Sequence, residues 1–191
     1  MHERPELYFK NDLEWREWLH INHCISQGVY LILFRVSSNV ASMRWEEAVR
    51  VALCYGWIDS TSKAIDAEKR RQLFTPRKAK SVWSKVNKQH IQELTEQNLM
   101  HDSGLQKIEI AKKSGSWDAL EDVENLIVPA DLLTVFLQHP QAYENYLSFS
   151  KSYQKSYLYW LNSAKRRETR DKRIAEIIDL CGKNIKSRTV Y

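Results

Sequence analysis

Residues 53–87 read LCYGWIDSTSKAIDAEKRRQLFTPRKAKSVWSKVN, and this stretch decides the fold. A helix arrives at Tyr55-Gly56, where glycine takes the left-handed conformation that closes a helix. The apolar pair Trp57-Ile58 then opens a strand. A charged turn over 66–71 leads to a second short strand at 72–75. Pro76 ends that strand and presents Arg77 and Lys78. Ser84 has the position of a helix N-cap. A helix, a two-stranded turn and a second helix within 35 residues point to a small sheet covered by helices.

Working outward, the neighbouring segments agree. Asn11 or Asp12 can cap a first helix with Trp15, Trp18 and Leu19 on one face. Gly28 introduces residues 29–36, VYLILFRV, which are rich in β-branched and aromatic side chains and too short for a membrane span, hence a central buried strand. Ser42 is the expected cap of the next helix, whose Trp45, Ala48, Val49, Ala52 and Leu53 follow the spacing of one apolar face. After Ser84, helices are expected to about Met100 and from about Gly104 to Lys113, stopped by Gly115. Residues 114–128 are acidic and irregular, a connector. Beyond Pro129 only helical patterns occur, with Pro140 opening one of them. The last two, carrying Tyr153 to Ala164 and Ile174 to Cys181, suit a helical hairpin, with Glu168 or Thr169 capping the second. The expected fold is α+β: a small antiparallel sheet of about three strands under helices (1–128), then a helical C-terminal subdomain (129–191) packed on it, the two possibly forming one compact domain.

Composition narrows the function. The chain of 191 residues is long enough for a core without disulfide staples, and three widely separated cysteines without a CxxC pair argue for a reducing compartment. The amino terminus has no apolar signal-peptide run and no stretch approaches a membrane span, so a cytoplasmic location is expected. The net charge of +5 is unevenly spread: residues 63–88 hold nine Lys or Arg against Asp66 and Glu68. Residues 151–188 hold eleven against four acids. Two basic segments therefore sit on an acidic remainder. Brought together they would attract phosphate, nucleic acid or acidic groups; kept apart they are solvated faces.

Three constellations carry possible chemistry. In the first, Trp57 and Trp83 supply flat walls, Arg77 and Lys78 can meet an anion, Ser84 and Asn87 begin a helix, and Asp59 needs a buried partner. It suits a small anionic or aromatic ligand; the alternative is two core indoles with an Asp59–Arg77 salt bridge. In the second, Lys165, Arg170 and Arg173 flank Glu168-Thr169 and could extend the first, or form only a charged helix corner. The third, His20, His23 and Cys24, resembles a soft metal site but lacks a fourth ligand, so no metal and no cofactor is expected. Gly-rich phosphate loops, GxSxG and HExxH are absent.

The wording of residues 52–60 (ALCYGWIDS), 74–78 (FTPRK) and 81–84 (SVWS) with Asn87 resembles the bacterial YdeI/OmpD-associated family. Residues 160–165 (WLNSAK), Glu168-Thr169-Arg170, Arg173-Ile174 and Gly115-Ser116-Trp117 agree with it. The resemblance implies bacteriocin protection or association with an outer-membrane porin, and it brings no catalytic residues. The reading favoured by the residues is a cytosolic, non-enzymatic stress or antimicrobial-resistance protein that holds an anionic small molecule or an acidic protein partner. The alternatives are an enzyme with Asp59 as general base between Trp57 and Trp83, and a nucleic-acid-binding protein whose aromatics stack on bases.

Overall fold

The computed structural model describes residues 4–188. The chain forms two compact units, the first ending at Asp118 and the second beginning at Ala119, so the division falls inside the acidic connector.

In the first unit, β1 (Glu6–Tyr8), α1 (Asp12–Asn22), β2 (Val29–Phe34), a 3₁₀ turn at Val36–Ser38, α2 (Trp45–Cys54), β3 (Trp57–Ala64) and β4 (Lys69–Pro76) are followed by α3 (Lys85–Glu96) and α4 (Asp102–Ser114). The strands make one sheet in the order β1-β2-β4-β3. β2, β4 and β3 pair antiparallel, as the sequence indicates, and β1 adds a parallel edge to β2. That edge has no sequence pattern because three residues are too few to show period two; it is parallel because α1 serves as the crossover between β1 and β2. β3 and β4 are also longer than expected. Their charged residues 61–70 are largely exposed on the hairpin, so polarity that reads as a turn is compatible with paired backbone.

Alternation sorts the sheet into two faces. Val29, Leu31 and Leu33 face the same way as Phe74, Gln72 and Arg70 on β4 and as Trp57 and Asp59 on β3. All of these except Asp59 and Arg70 are buried. Trp15, Leu19, Ala48, Ala52 and Leu53 of α1 and α2 complete this core. Full burial of each large apolar side chain contributes about 1.5–3 kcal/mol.

Local signals set several ends. Asn11 caps α1 by accepting from Glu14 N–H at 3.0 Å, Ser84 caps α3 by accepting from Asn87 N–H at 3.2 Å, and Gly115 ends α4 at φ +73°. Two expected caps are displaced. α2 is capped by Arg44, because the Ser42 hydroxyl instead accepts from Phe34 N–H at 3.1 Å, and Trp45, expected on the buried face, is 45% exposed as the first helical residue. The last helix begins after Arg166 rather than at Glu168 or Thr169.

The second unit contains a short α5 (Glu121–Glu124), then α6 (Ala130–Gln138), α7 (Pro140–Ser148), α8 (Lys151–Asn162) and α9 (Arg167–Gly182). Its core is Leu132, Phe136, Tyr146, Tyr157, Leu158, Leu161, Ile174, Ile177 and Cys181. α9 packs against α6, α7 and α8, most extensively against α7. Pro140 stands at the first helical position of α7, where its missing N–H costs nothing.

Candidate functional site

The site is built at the point where α2 turns into the sheet and β4 leaves it. Gly56 holds φ +72°, and a β-carbon there would lie 2.5 Å from the Lys107 side chain, so glycine is required both for the turn and for the approach of α4. Its carbonyl accepts from Arg77 N–H at 2.9 Å, which fixes the residue that follows β4.

The Arg77 side chain is turned inward, with 3% of its surface exposed. Its guanidinium carbon lies 3.6 Å from the centre of the Trp83 ring, a tight cation–π stack. Nη1 donates to the Val82 carbonyl at 3.1 Å. Among the described residues Nε and Nη2 have no partner. These two nitrogens form one edge of the guanidinium, the fork that receives a carboxylate or phosphate in a bidentate pair. Burial pulls the Arg77 pKa down to about 10, the nearby Asp59 charge acting in the other direction.

Behind Trp83 the stack continues. Trp117 lies 5.1 Å from Trp83, and the ammonium groups of Lys88 and Lys112 sit 5.2 and 5.5 Å from the Trp117 ring. The loop over this stack is tied by the Ala79 carbonyl, which accepts from Ser114 and Ser116 hydroxyls at 3.3 and 3.2 Å. Lys78 and Lys80 are exposed on its outer side. Neither Trp117 nor Val82 stands out in the sequence as part of a site; the run Gly115-Ser116-Trp117 is the available signal.

The Asp59–Arg77 salt bridge, which the sequence offered as the alternative to a ligand site, is not formed among the described residues. Asp59 Oδ2 instead accepts from Trp45 Nε1 at 2.8 Å and from Gln72 Nε2 at 3.0 Å. Gln72 also donates to the Ser60 carbonyl at 3.0 Å. The sheet register explains the exchange: Asp59 lies on the covered face beside Gln72 and points toward the first residue of α2. A sequence signal existed, since Gln72 occupies the inward position of β4 two residues from Phe74 and a polar group there needs a partner. Trp57 is a core residue. Its ring is 1% exposed, edge-on to Trp15 and Trp18 at 6.4 and 6.0 Å, and its N–H donates to the His23 carbonyl. Ser84 and Asn87 serve the helix start.

The histidine region is an aromatic cluster. His101 stacks on Tyr55 at 4.9 Å, His23 and His20 meet its edge at 4.8 and 5.8 Å, and His101 Nδ1 caps α4 by accepting from Ser103 N–H. Burial, followed by the neighbouring His23 and then His20, lowers the His101 pKa, while Asp102 opposes them. Cys24 is exposed.

In the second unit the candidate cations are engaged locally. Arg170 makes a bidentate pair with Asp131 at 2.5 and 3.0 Å. This hydrogen bonding holds the Asp131 carboxyl below its ordinary pKa. Arg173 donates to the Trp160 carbonyl and, at 2.8 Å, to the Ser163 hydroxyl. Lys165 is exposed.

An α+β unit carrying a buried arginine on a tryptophan, followed by a helical unit, is thus the class of protein the coordinates define. Residues 7–107 match the family described as domain of unknown function DUF8412, more than half of the chain, and the protein belongs to that family. Residues 125–184, in the C-terminal part, match the family described as bacteriocin-protection, YdeI or OmpD-associated, the family that the sequence resembles. No curated protein and no solved structure matches the chain. Among the described residues no helix is long and apolar enough to cross a membrane.

Proposed function

We propose that this is a non-enzymatic binding protein whose first unit takes a small carboxylate or phosphate on the free edge of Arg77. The observation that carries the reading is a guanidinium at 3% exposure whose Nε and Nη2 find no partner among the described residues. A buried donor without an acceptor costs about 1–3 kcal/mol, and more when charged. The lowered pKa gives the same scale: from 12.5 to about 10 is a penalty of about 3 kcal/mol on the charged form. An anion at that edge would recover much of it. The flat indole of Trp83 holds the fork in place without competing for its hydrogens. The segment 77–84 is irregular and carries the exposed Lys78 and Lys80, whose charge would attract an anion toward it.

Free cysteines, two of them buried, fit a reducing cytosol. The family matching residues 125–184 is described as bacteriocin-protection, YdeI or OmpD-associated, and bacteriocin protection is the setting proposed for this binding.

The test is thermal unfolding of the full chain in phosphate, acetate and chloride at equal ionic strength. Phosphate or acetate should raise the melting temperature beyond chloride, by mass action on the folded state. Arg77→Met should abolish that difference while the protein stays folded. Equal stabilisation by all three salts, or a difference that survives Arg77→Met, would overturn the reading.

A further inference from the structure

The other end of β4 carries a second cationic feature, independent of Arg77. Arg70 and Arg77 are seven residues apart along a strand and its exit, roughly 20 Å. Arg70 shares the covered face with Gln72 and Phe74, yet it is exposed, because α2 begins only at Trp45 and leaves the end of the face open. The opening is a cleft of about 510 Å³. Leu33 and Met43 form its apolar floor, Arg35, Arg44 and Arg70 its cationic lining, and Trp45 a wall.

Three arginines from three parts of the fold line it, from just past the end of β2, the cap of α2 and the start of β4. Among the described residues none of them is in an ion pair. Most carboxylates near them in the chain are committed elsewhere; the exception is the exposed Glu68, whose carbonyl accepts from Arg35 N–H at 2.7 Å and whose carboxylate is in no ion pair among the described residues. Glu47 accepts from Arg44 N–H at 2.7 Å, and Glu46 stands 3.9 Å from His90. Asp66 accepts from Glu68 and Lys69 N–H and pairs with the Lys69 ammonium at 3.8 Å, the Arg35 charge acting on it only from a distance. Asp59 holds the indole N–H of Trp45, so that ring is fixed in orientation while 45% of its surface is open.

We infer that this cleft binds an oligophosphate, free or attached to a nucleoside. A single monoanion engages one or two guanidinium forks. A chain of two or three phosphates carries enough charge and enough oxygens to bridge all three, and the volume lies within the usual range for small-molecule sites. Side chains replace the glycine-rich loop that the sequence lacks, and Trp45 offers a surface on which a base can stack.

Isothermal titration calorimetry of the full chain at about 50 mM chloride, where surface charge is weakly screened, tests the assignment with inorganic triphosphate, ATP, orthophosphate and a ten-residue oligo-dT. Triphosphate should bind at least about tenfold tighter than orthophosphate, and Arg35→Ala and Arg70→Ala should each weaken it by about tenfold or more. The tenfold losses in Arg35→Ala and Arg70→Ala should be the same when measured in an Arg77→Met background, which separates the cleft from the Arg77 site. ATP binding tighter than triphosphate, with the advantage lost in Trp45→Leu, identifies the nucleoside form; equal or weaker ATP binding identifies the free oligophosphate. The inference is overturned if triphosphate gives no binding, if the Arg35→Ala/Arg70→Ala double variant with native circular dichroism binds it as tightly as the parent, or if oligo-dT binds tighter than triphosphate through the same arginines.

Discussion

In sequence, Arg77 of the first unit and Arg170 of the helical unit are alike, since each follows an element boundary inside a basic run. Their surroundings are opposite. Arg170 is half-buried with both forks of its charge answered, by Asp131 in a bidentate pair and by the Asn162 side chain and Leu161 carbonyl at longer range. Arg77 is buried more deeply and has one carbonyl and one aromatic face. Arg170 ties its helix to a neighbour, whereas two Arg77 donors find no partner among the described residues. A run of cations therefore says nothing about function until each charge has been followed to its partner.

The contrast can be attacked first through the tryptophans. Trp57→Ala should cost about 3–5 kcal/mol in urea unfolding, as large-to-small aromatic changes in a core do. Trp83→Ala should cost a similar amount and also remove the difference between phosphate and chloride, because only Trp83 backs the guanidinium. A loss under about 1 kcal/mol for Trp57→Ala would move that ring out of the core.

Asp131→Ala should cost about 1–2 kcal/mol, the range for a partly exposed, charge-assisted bidentate pair. The pH dependence has a definite sign. The folded carboxyl titrates below its unfolded value, so its contribution is present above about pH 4 and fades as the pH falls further through the folded-state pKa. Urea unfolding at pH 6 and pH 3 should show the parent losing more stability than Asp131→Ala over that interval.

Arg77→Met should change stability by less than about 1 kcal/mol or raise it, since replacing a buried unpaired charge by an apolar side chain of similar length is often stabilising. A loss of about 3 kcal/mol or more in anion-free buffer, the cost of breaking a buried pair, would mean that Arg77 has a hidden partner and is structural like Arg170. The smallest effect is expected at Lys78→Ala, within about 0.5 kcal/mol, with the phosphate increment retained, because its side chain is exposed. Loss of that increment would extend the anion seat to Lys78.

Where the chain announces itself through one local rule, the sequence reading holds. Asn11, Ser84, Gly56, Gly115 and Pro140 each do what cap, turn and proline chemistry require. Where two local rules compete, it does not. Ser42 could cap a helix or complete the end of a strand, and tertiary context chose the strand. The same holds for the site. Arg77, Trp83 and Ser84 are legible as a group, but charge alone pairs Asp59 with Arg77, wrongly. Its actual donors, Trp45 and Gln72, are neutral and become neighbours only through the register of β3 on β4. The arginine cleft is invisible for a related reason, since Arg35, Arg44 and Arg70 belong to three separate segments and nothing in their spacing links them.

The strand order β1-β2-β4-β3 has a consequence for how the first unit assembles in time. β3 and β4 are joined by four residues and can zip as a hairpin within microseconds, but β2 reaches β4 only after the chain closes a loop that contains α2 and β3, and β1 can add only to a β2 already in place. The second unit closes shorter loops, since its helices follow one another with short connections and α9 reaches α7 across the single helix α8. In pulse-labelling hydrogen exchange during refolding, amides of α6 to α9 and of the β3–β4 hairpin should gain protection first, and those of β1 and of β2 facing β4 last. Until Val29–Phe34 docks, the finished hairpin presents an unfilled edge, and that interval is when another chain's strand could take the place meant for β2.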